Sequence, residues 1–462
     1  MFLFGLLLFL IFQSSSSLSD DNDHQQCTKD SCSTLTSSTS YLLYDVNPGE
    51  GFNLRRDVYV RMANLVYKLR EQSSSESNWI LVLPPWGPLY HWFSYNLQRT
   101  QIPWSLFFDL ASLSRFVPVI EFEEFLRLST SPLVTIPYVY TLQHFSEGWG
   151  EHFEEKLEIR QCNEEVLYEK RNDEFYYGWF FGYENRVRAQ QFQCLSAQGF
   201  VTVLTDFILK NLTWPTESPV KSVMFDRAET LLHVDYGGFN YWQARRSMRY
   251  AKRLINLGEI HLSDQFDVFL SQLGNRFRVD YLNSTDADDR TVLIDDWTKM
   301  KRHRGHALGG PYISIHLRRR DYIKARPGHV PSLEHAARQV CHHLIRLNLS
   351  LAFIATDAEE NEIDEVRQHV EQICQISSKQ ILTYRPSEKI LEKILDGGKA
   401  IVDQWICAHA RYFLGSYEST FSFRIQEDRE IFGFEQDLTF NRLCGDREGL
   451  SCEKPNIWSI VY

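Results

Sequence analysis

The residues most suited to chemistry lie at 311–322, PYISIHLRRRDY, where an apolar run ends in His316, Leu317 and three arginines that begin with Arg318. The run is typical of a buried strand, so the cations are expected at its carboxyl end. Ligands of open α/β sheets bind outside the carboxyl ends of the strands, and guanidinium groups there suit a phosphate-bearing ligand. A solvated charge cluster is the alternative, since basic runs are common.

A second stretch, YLLYDVNPGEGFNLRRD at 41–57, has the same form: an apolar strand, a turn rich in Pro and Gly, and the start of a helix. The turn holds Glu50 between Gly49 and Gly51, whose lack of a side chain lets the backbone approach a ligand closely. Phe52 and Asn53 then lead into a helix predicted over 55–69. Two such strand–loop–helix units predict a ligand site in a cleft between them.

The elements that must position these residues are clearest in the second half. Beyond residue 311 strands alternate with helices, which predicts a parallel doubly wound sheet. Asp403 lies near the beginning of a helix predicted over 399–410, and Thr420 and Phe421 lie in a hydroxyl-rich segment after a strand at 412–415. Hydroxyls and backbone amides after a strand suit phosphate oxygens. A helix predicted over 240–257 joins the halves.

Two other segments have more than one interpretation. The aromatic stretch FYYGWFFGY at 175–183 is expected to form core at a domain interface, in preference to a ligand platform. The segment LNSTDADD at 282–289 has acidic spacings that are also found in metal motifs. It is expected to be a polar loop or helix cap, because carboxylates that bind a nucleotide's metal belong at a strand end. No cysteine spacing suggests zinc.

Length and charge set the frame for these motifs. A chain of 462 residues exceeds the size at which a single core keeps growing, so two domains are expected. The net charge of −11 argues against a nucleic-acid binder, because such proteins carry a basic footprint. The arginine cluster is therefore local.

Several features indicate entry into the secretory pathway. Residues 2–12 are an apolar run of signal-peptide length within a signal expected at 1–20, with an uncleaved anchor as the alternative. The serine-rich segment 21–40 is expected to be a disordered lead-in. No other segment is long and apolar enough to cross a membrane, so stable membrane insertion is not expected. Sequons stand at Asn211, Asn283 and Asn348.

The nine cysteines should mostly pair in an oxidising compartment. Cys407, inside an apolar run, is expected to be the unpaired one and a buried structural thiol. The plausible bridges are Cys162 with Cys194, Cys444 with Cys452, Cys341 with Cys374, and Cys27 with Cys32.

Together these residues suit a sugar nucleotide. Arginine would hold its diphosphate, the hydroxyl-rich segment its phosphate oxygens, and Asp403 the adjacent N–H donors of guanine. Transfer of the sugar to an alcohol requires a base near the attacking hydroxyl and charge stabilisation at the leaving phosphate. Glu50 is the candidate base and Arg318 the candidate stabiliser.

The chain resembles the protein O-fucosyltransferases, and among them the branch that modifies thrombospondin type 1 repeats. The resemblance runs from about residue 41 to residue 462. The stretches that carry it are YLLYDVNPGEGFNLRRDVY, WILVLPPWGPLYHW, GGPYISIHLRRRDY, FIATDA, DQWICAHARYFLGS and STFSFR. Runs of this length in this order are highly specific.

The resemblance implies an α/β fold of the GT-B class, with two Rossmann-like domains facing across a cleft, at 41–245 and 246–462. It implies inverting transfer of fucose from GDP-fucose to folded thrombospondin type 1 repeats in the lumen of the endoplasmic reticulum, without a metal or other cofactor. GDP-fucose would bind chiefly to the second domain, and the first would carry the catalytic base and the acceptor side.

By motif, the 49–53 loop looks like the family's donor loop, Glu50 like its catalytic base, and Arg318 like the residue that assists departure of GDP. The remaining donor-binding residues implied are Gly49, Gly51, Phe52, Asn53, His316, Leu317, Asp403, Thr420 and Phe421. The family's disulfides fall on Cys162 with Cys194 and on Cys444 with Cys452. One departure is Gly49, where relatives often have a second proline.

Two alternatives remain beside this interpretation. The related branch that modifies EGF-like repeats shares the HLR motif, but it has asparagine where this chain has Glu50. A non-catalytic secretory lectin or folding helper could keep the cleft after losing catalysis. Retention of Glu50, Arg318 and Asp403 together argues against that reading.

Overall fold

The computed structural model describes residues 39–462 apart from 74–77, 88, 90–91, 93–100, 130, 151, 165–166, 216–219, 258–300, 303, 306, 451 and 453–459. Several predictions lie outside the described residues. They concern the signal at 1–20, the lead-in up to residue 38, the pair Cys27 and Cys32, the acidic segment 282–289 and the sequon at Asn283.

The first half of the chain forms a nine-stranded sheet. Its strands are β1 (Thr39–Tyr44), β2 (Asn78–Leu83), β3 (Val119–Glu121), β4 (Val134–Gln143), β5 (Lys156–Arg160), β6 (Tyr168–Lys170), β7 (Tyr176–Gly178), β8 (Val187–Gln198) and β9 (Lys221–Asp226). The parallel part has the order β3-β2-β1-β9-β4-β8, and β5, β6 and β7 extend it with antiparallel pairs beyond β8. The first strand begins at Thr39, two residues before the predicted start.

The helices of this half are α1 (Phe52–Gln72), α2 (Leu110–Leu113), α3 (Phe122–Arg127), α4 (Val203–Asn211) and α5 (Phe239–Ser247). In α1 the buried residues Val58, Met62, Leu65 and Leu69 recur at helical spacing, so that one face packs into the core. This helix directly follows the loop that carries Glu50, and its burial therefore anchors one end of that loop.

The second half forms a five-stranded sheet in which every pair is parallel. Its strands are β10 (Gly310–Leu317), β11 (Ala352–Thr356), β12 (Ile381–Leu382), β13 (Ala410–Gly415) and β14 (Asn441–Arg442), in the order β12-β11-β10-β13-β14. Its helices are α6 (Arg320–Ala325), α7 (Leu333–Arg346), α8 (Glu360–Cys374), α9 (Glu388–Ala408), α10 (Thr420–Phe432) and α11 (Gln436–Thr439). The predicted doubly wound parallel sheet is confirmed.

The two halves share apolar core. The largest cluster of buried hydrophobic side chains contains residues of the first half, such as Trp92 and Phe107, together with Leu395 and Trp405 of α9. A Cβ added at Gly397 would lie 2.7 Å from the Phe107 ring, so glycine is required for this close approach. The contact fixes α9 against the first half and so fixes the cleft.

Three predicted elements differ from the structure. The helix predicted over 240–257 is interrupted: α5 ends at Ser247, Tyr250 forms a bridge with Phe108, and the chain is helical again over 252–257. The helix predicted over 399–410 is only the second part of α9, which a non-helical Leu395 interrupts. The aromatic stretch 175–183 does not lie at a domain interface, since it packs within the first half's own core.

Candidate active site

A cavity of about 910 Å³, called the cleft below, collects residues from both halves of the chain. The first half supplies Gly49, Glu50, Gly51, Phe52, Asn53, Leu54 and Trp92. The second half supplies His316, Arg318, Arg320, Asp321, Tyr322, Thr356, Asp357, Ala358, Arg385, Glu388, Leu391, Glu392, Asp396, Lys399, Ala400, Asp403, Ser419, Thr420 and Phe421.

The parallel strands explain why the second-half residues meet. Strands β11, β10 and β13 are neighbours. Thr356 and His316 lie at the carboxyl ends of β11 and β10, and β13 leads into the segment before α10. Parallel strands place such ends along one edge of the sheet, where ligands of α/β proteins bind. The cleft therefore occupies the position that the sequence predicted from strand ends.

The loop of Glu50 is held mainly through its backbone. The Glu50 amide donates to the Asn47 carbonyl at 2.9 Å, and the Gly49 amide donates to the Asn47 side-chain oxygen at 3.0 Å. Gly51 then caps α1 in an extended conformation. The carboxylate of Glu50 is half-buried in the cleft wall and makes no hydrogen bond to another described residue. It is therefore available to a ligand.

Arg318 lies between two carboxylates. Its guanidinium donates to Asp357 and to Asp321, and it also lies over the Tyr322 ring, 5.3 Å from the ring centre. Its backbone amide donates to the Ser416 hydroxyl at 3.0 Å. Because these contacts already fix the guanidinium, it can bind phosphate oxygens without a further loss of side-chain conformational entropy.

The other two arginines of the cluster behave differently. Arg319 turns away from the cleft and binds Glu362 at 2.8 Å and the Pro331 carbonyl at 2.9 Å. Arg320 lines the cleft and donates to the Asp357 carbonyl at 2.7 Å. The expectation that three guanidiniums face the ligand is therefore wrong for Arg319, because its guanidinium pairs with Glu362 of α8.

His316 is a neutral, fixed side chain. Burial, with a smaller contribution from Arg318, lowers the pKa of His316 to about 3. One ring nitrogen lies 2.8 Å from the Ser422 hydroxyl, and the ring stacks on Phe421 at 4.3 Å between centres. The imidazole can therefore offer its other nitrogen to a ligand without adding charge.

Asp403 lies on α9 within the cleft wall and is only 4% exposed. Burial raises the pKa of Asp403, and Lys399, whose ammonium lies 2.9 Å from the carboxylate, opposes that rise. A buried carboxylate of this kind can accept the two adjacent N–H groups on one edge of guanine. The Lys399 ammonium favours the ionised form of Asp403 and so opposes the effect of burial.

A buried network connects the two halves beneath the cleft. The Asn53 side-chain oxygen accepts from Arg56 at 3.0 Å and from Gln404 at 2.9 Å. Arg56, fully buried, also donates to Gln404 at 2.7 Å and to Tyr250 at 3.0 Å. Gln404 adjoins Asp403, so the start of α1 and the donor side of the cleft are joined by side-chain hydrogen bonds.

Comparisons with known proteins agree with this arrangement. Residues 41–432 match the family described as GDP-fucose protein O-fucosyltransferase. The chain is 45% identical over 438 residues to GDP-fucose protein O-fucosyltransferase 2 of Homo sapiens, covering 95% of this chain and 93% of the human one. It is 44% identical over 459 residues to the protein of that name from Caenorhabditis elegans, covering 99% and 98%. The chain belongs to this family.

A solved structure supports the fold. A crystal structure of POFUT1 in complex with GDP-fucose aligns with a TM-score of 0.51 and 13% sequence identity, covering 88% of this chain and 98% of that one. At this identity the likeness concerns the fold alone. The O-fucosyltransferase described here has the GT-B fold that the family resemblance implied.

The structure brings the predicted site residues together with one exception. Leu317 is 1% exposed and packs in the second half's core, because it alternates with His316 along β10 and points to the other face. The sequence reasoning did not single out Asp357, Tyr322, Lys399 and Arg385 as cleft residues. Asp357 directly follows a strand, Tyr322 stands four residues after Arg318, and Lys399 lies one helical turn before Asp403, so local sequence signals could have found them. Arg385 becomes a neighbour only through packing.

Features outside the cleft fit the predicted compartment. Disulfides within the described residues join Cys162 to Cys194, Cys341 to Cys374, and Cys444 to Cys452. Cys407 is buried and free. The sequon residues Asn211 and Asn348 are both exposed.

Neither a metal-binding cluster nor a membrane-spanning helix is found in the described ranges. No group of three or more His, Cys, Asp or Glu side chains in those ranges is placed to hold a metal ion. In the same ranges, no helix has both the length and the apolar character needed to cross a bilayer.

Proposed function

We propose that the protein transfers fucose from GDP-fucose, with inversion at the anomeric carbon, to a Ser or Thr hydroxyl of folded thrombospondin type 1 repeats. The observation that carries the proposal is the cleft itself. One wall presents the carboxylate of Glu50 and the other presents Arg318, His316 and Asp403. A base and an anion site in one space are what transfer from a nucleotide sugar requires.

On the donor side, Asp403 binds guanine, and Arg318 with the start of α10 binds the diphosphate. Thr420 lies in the first turn of α10, where backbone N–H groups without helical partners attract anions. Phe421 stacks on His316 and presents an apolar ring edge beside these polar groups. Gly49, Gly51, Phe52 and Asn53 complete the donor pocket from the opposite wall.

In the reaction, the acceptor oxygen forms a bond to C1 of fucose and gives its proton to Glu50. The bond between C1 and the β-phosphate oxygen breaks, and GDP leaves with the electron pair of that bond. Arg318 stabilises the negative charge that develops on the leaving oxygen. A single displacement on the face opposite the phosphate inverts the configuration at C1.

We further propose that no metal ion is needed. The charge on the departing diphosphate is met by Arg318 and by the amides at the start of α10. Arg318 is preoriented by Asp321 and Asp357, so it can do this without rearranging in the transition state. Removal of divalent cations is therefore expected to leave turnover unchanged.

The acceptor and the compartment follow from the resemblance and from the covalent chemistry. The disulfides and the two exposed sequon residues suit the lumen of the endoplasmic reticulum. A small disulfide-bonded repeat is itself a product of that compartment. Recognition of the folded shape of the repeat would involve many polar contacts, some of them mediated by water.

The decisive experiment is transfer of fucose from GDP-fucose, in EDTA, to three acceptors. They are a folded thrombospondin repeat, the same repeat after reduction, and a folded EGF-like repeat. Transfer to the first alone is the expected result. The anomeric configuration of the product, determined by NMR, tests inversion in the same sample.

Each other outcome points to a different function. Transfer to the EGF-like repeat would assign the chain to the other acceptor class. Loss of activity in EDTA that is restored by a divalent cation would overturn metal independence. No transfer to any acceptor, with GDP still bound, would favour a lectin or folding helper.

A further inference from the structure

Arg55, in the first turn of α1, makes an unusual set of contacts with the Glu50 loop. Its Nε donates to the Glu50 carbonyl at 3.2 Å, and one Nη donates to the carbonyls of Val46 and Asn47, each at 3.0 Å. The other Nη lies 3.4 Å from the Asp45 carboxylate. One guanidinium thus binds three backbone carbonyls within a five-residue turn.

The loop has few other fixed points. Besides its two internal bonds at Asn47, it is held by the Asn47 amide, which donates to Glu229 at 3.2 Å. Pro48 and Gly49 are exposed, and Gly49 has no side chain to pack. The Glu50 carboxylate makes no hydrogen bond in the described part of the chain, so its position follows the path of its backbone.

Asp45, which pairs with the Arg55 guanidinium, is held in place by neighbouring groups. Asp45 and Asp226 stand at the carboxyl ends of the adjacent strands β1 and β9, and with Pro48 they line a small pocket of about 50 Å³ behind the loop. Asp226 accepts from the Arg227 amide at 2.8 Å, and Asp45 accepts from the Val46 amide at 2.7 Å. The Asp45 amide also donates to the Phe225 carbonyl of β9 at 3.0 Å, so the sheet fixes the residue whose side chain orients Arg55.

We propose that Arg55 is a positioning residue for Glu50, which holds the loop backbone so that the carboxylate points into the cleft. The inference rests on the proposed function, in which Glu50 is the catalytic base. A planar guanidinium with five donors can bind several carbonyls at once in a defined orientation, which an ammonium on a flexible stem does not do. A displacement of a catalytic group by about 1 Å can cost about 10²-fold in rate.

The test compares Arg55→Ala and Arg55→Lys with the unaltered enzyme. Arg55→Ala is expected to lower kcat about 10- to 100-fold, while the Kd of GDP and the KM of GDP-fucose stay within about twofold. Arg55→Lys keeps the charge and is expected to recover part of kcat. Should Arg55→Ala fail to fold, the same split between kcat and GDP binding is read from Arg55→Lys.

Arg70→Ala is the matched control, because Arg70 lies on the same helix and also donates to a backbone carbonyl, that of Trp79, but far along α1 from the loop. It is expected to retain the unaltered kcat. A fall in kcat equal to that of Arg55→Ala would assign both effects to the helix and overturn the proposal.

A double substitution separates positioning from a direct role. If Arg55 acts through Glu50, adding Arg55→Ala to Glu50→Ala should lower the residual rate less than twofold. Additive losses, or an Arg55→Ala enzyme with normal kcat, would overturn the proposal while leaving Glu50 as the base. Near-normal turnover of Glu50→Ala alone would instead overturn the assignment of Glu50, and the positioning role would fall with it.

Discussion

Two groups of consecutive arginines follow apolar strands in this chain, Arg55 and Arg56 after β1 and 318–320 after β10. In sequence they look alike, but the structure uses them differently. In the first group neither guanidinium lines the cleft. Arg55 binds backbone carbonyls, and Arg56 is wholly buried against three aromatic rings. In the second group Arg318 and Arg320 line the cleft and Arg319 does not.

The difference comes from what each guanidinium meets beyond the strand end. In the turn after β1, backbone carbonyls accept hydrogen bonds from Arg55, so this arginine binds protein and not ligand. The turn after β10 faces Asp357 and Asp321, which orient Arg318 while leaving it on the cleft surface. A strand end brings cations to one edge of a sheet, and neighbouring elements decide whether they bind ligand or protein.

The largest effect is expected from substitution of Glu50, whose loop is held by the first arginine group. Glu50→Ala should lower kcat by about 10²- to 10⁴-fold through loss of the base, with GDP affinity almost unchanged. Glu50→Gln, which keeps the shape, should lose a similar amount. Steady-state kinetics and calorimetry with GDP measure the two quantities. Equal losses of kcat and GDP binding would show that the loop has a structural role.

The next effect separates two neighbours in the second group. Arg318→Ala should lower kcat by about 10²- to 10³-fold and also weaken GDP binding, because it removes the diphosphate's cation. Arg319→Ala is the matched control, since its side chain binds Glu362 and the Pro331 carbonyl. It should lower the Tm and leave kcat within about threefold. Near-normal turnover of the Arg318 variant would contradict its assigned role.

A third prediction sharpens the contrast between Arg55 and Arg56. Arg56→Met should reduce the free energy of unfolding by about 2–3 kcal/mol, because Gln404 and Asn53 would lose a buried donor. Denaturant titration at matched protein concentration provides the measurement. Arg70→Met, at an exposed site, should change stability by less than about 0.5 kcal/mol. A stable Arg56 variant would mean that the network contributes little.

The smallest effect concerns acid stability of the second half. Burial lowers the pKa of His409 to about 3, and its Nδ1 donates to the Trp405 carbonyl at 2.7 Å. Below pH 6.5 the unfolded histidine binds a proton that the native one does not, so native stability falls as the pH falls. Between pH 7.5 and 5 this loss amounts to about 2 kcal/mol for one such group.

His409→Asn should remove that part of the pH dependence, which denaturant titrations at several pH values would measure. An unaltered slope in the His409 variant would show that the native imidazole takes up its proton at an ordinary pH. His316 and His343, whose pKa values burial lowers to about 3 and about 4, contribute in the same direction.

The sequence by itself determined the strand–loop–helix units and the residues at their ends. Apolar runs, the Pro and Gly turn and the alternation of strand with helix are local signals, and they pointed to Glu50, His316, Arg318 and Asp403, which the structure places around one cleft. The same local signals predicted a parallel sheet in the second half. Local patterns suffice here because a parallel strand carries its following loop to a known edge.

Only the tertiary structure decided which of these side chains reach the ligand space. Leu317 and Arg319 stand beside cleft residues in sequence, but one points into the core and the other pairs with α8. Arg385 reaches the cleft from a segment that carries no motif. The physical reason is that side-chain direction depends on the face of the element, and the partner of a charge depends on which elements pack beside it.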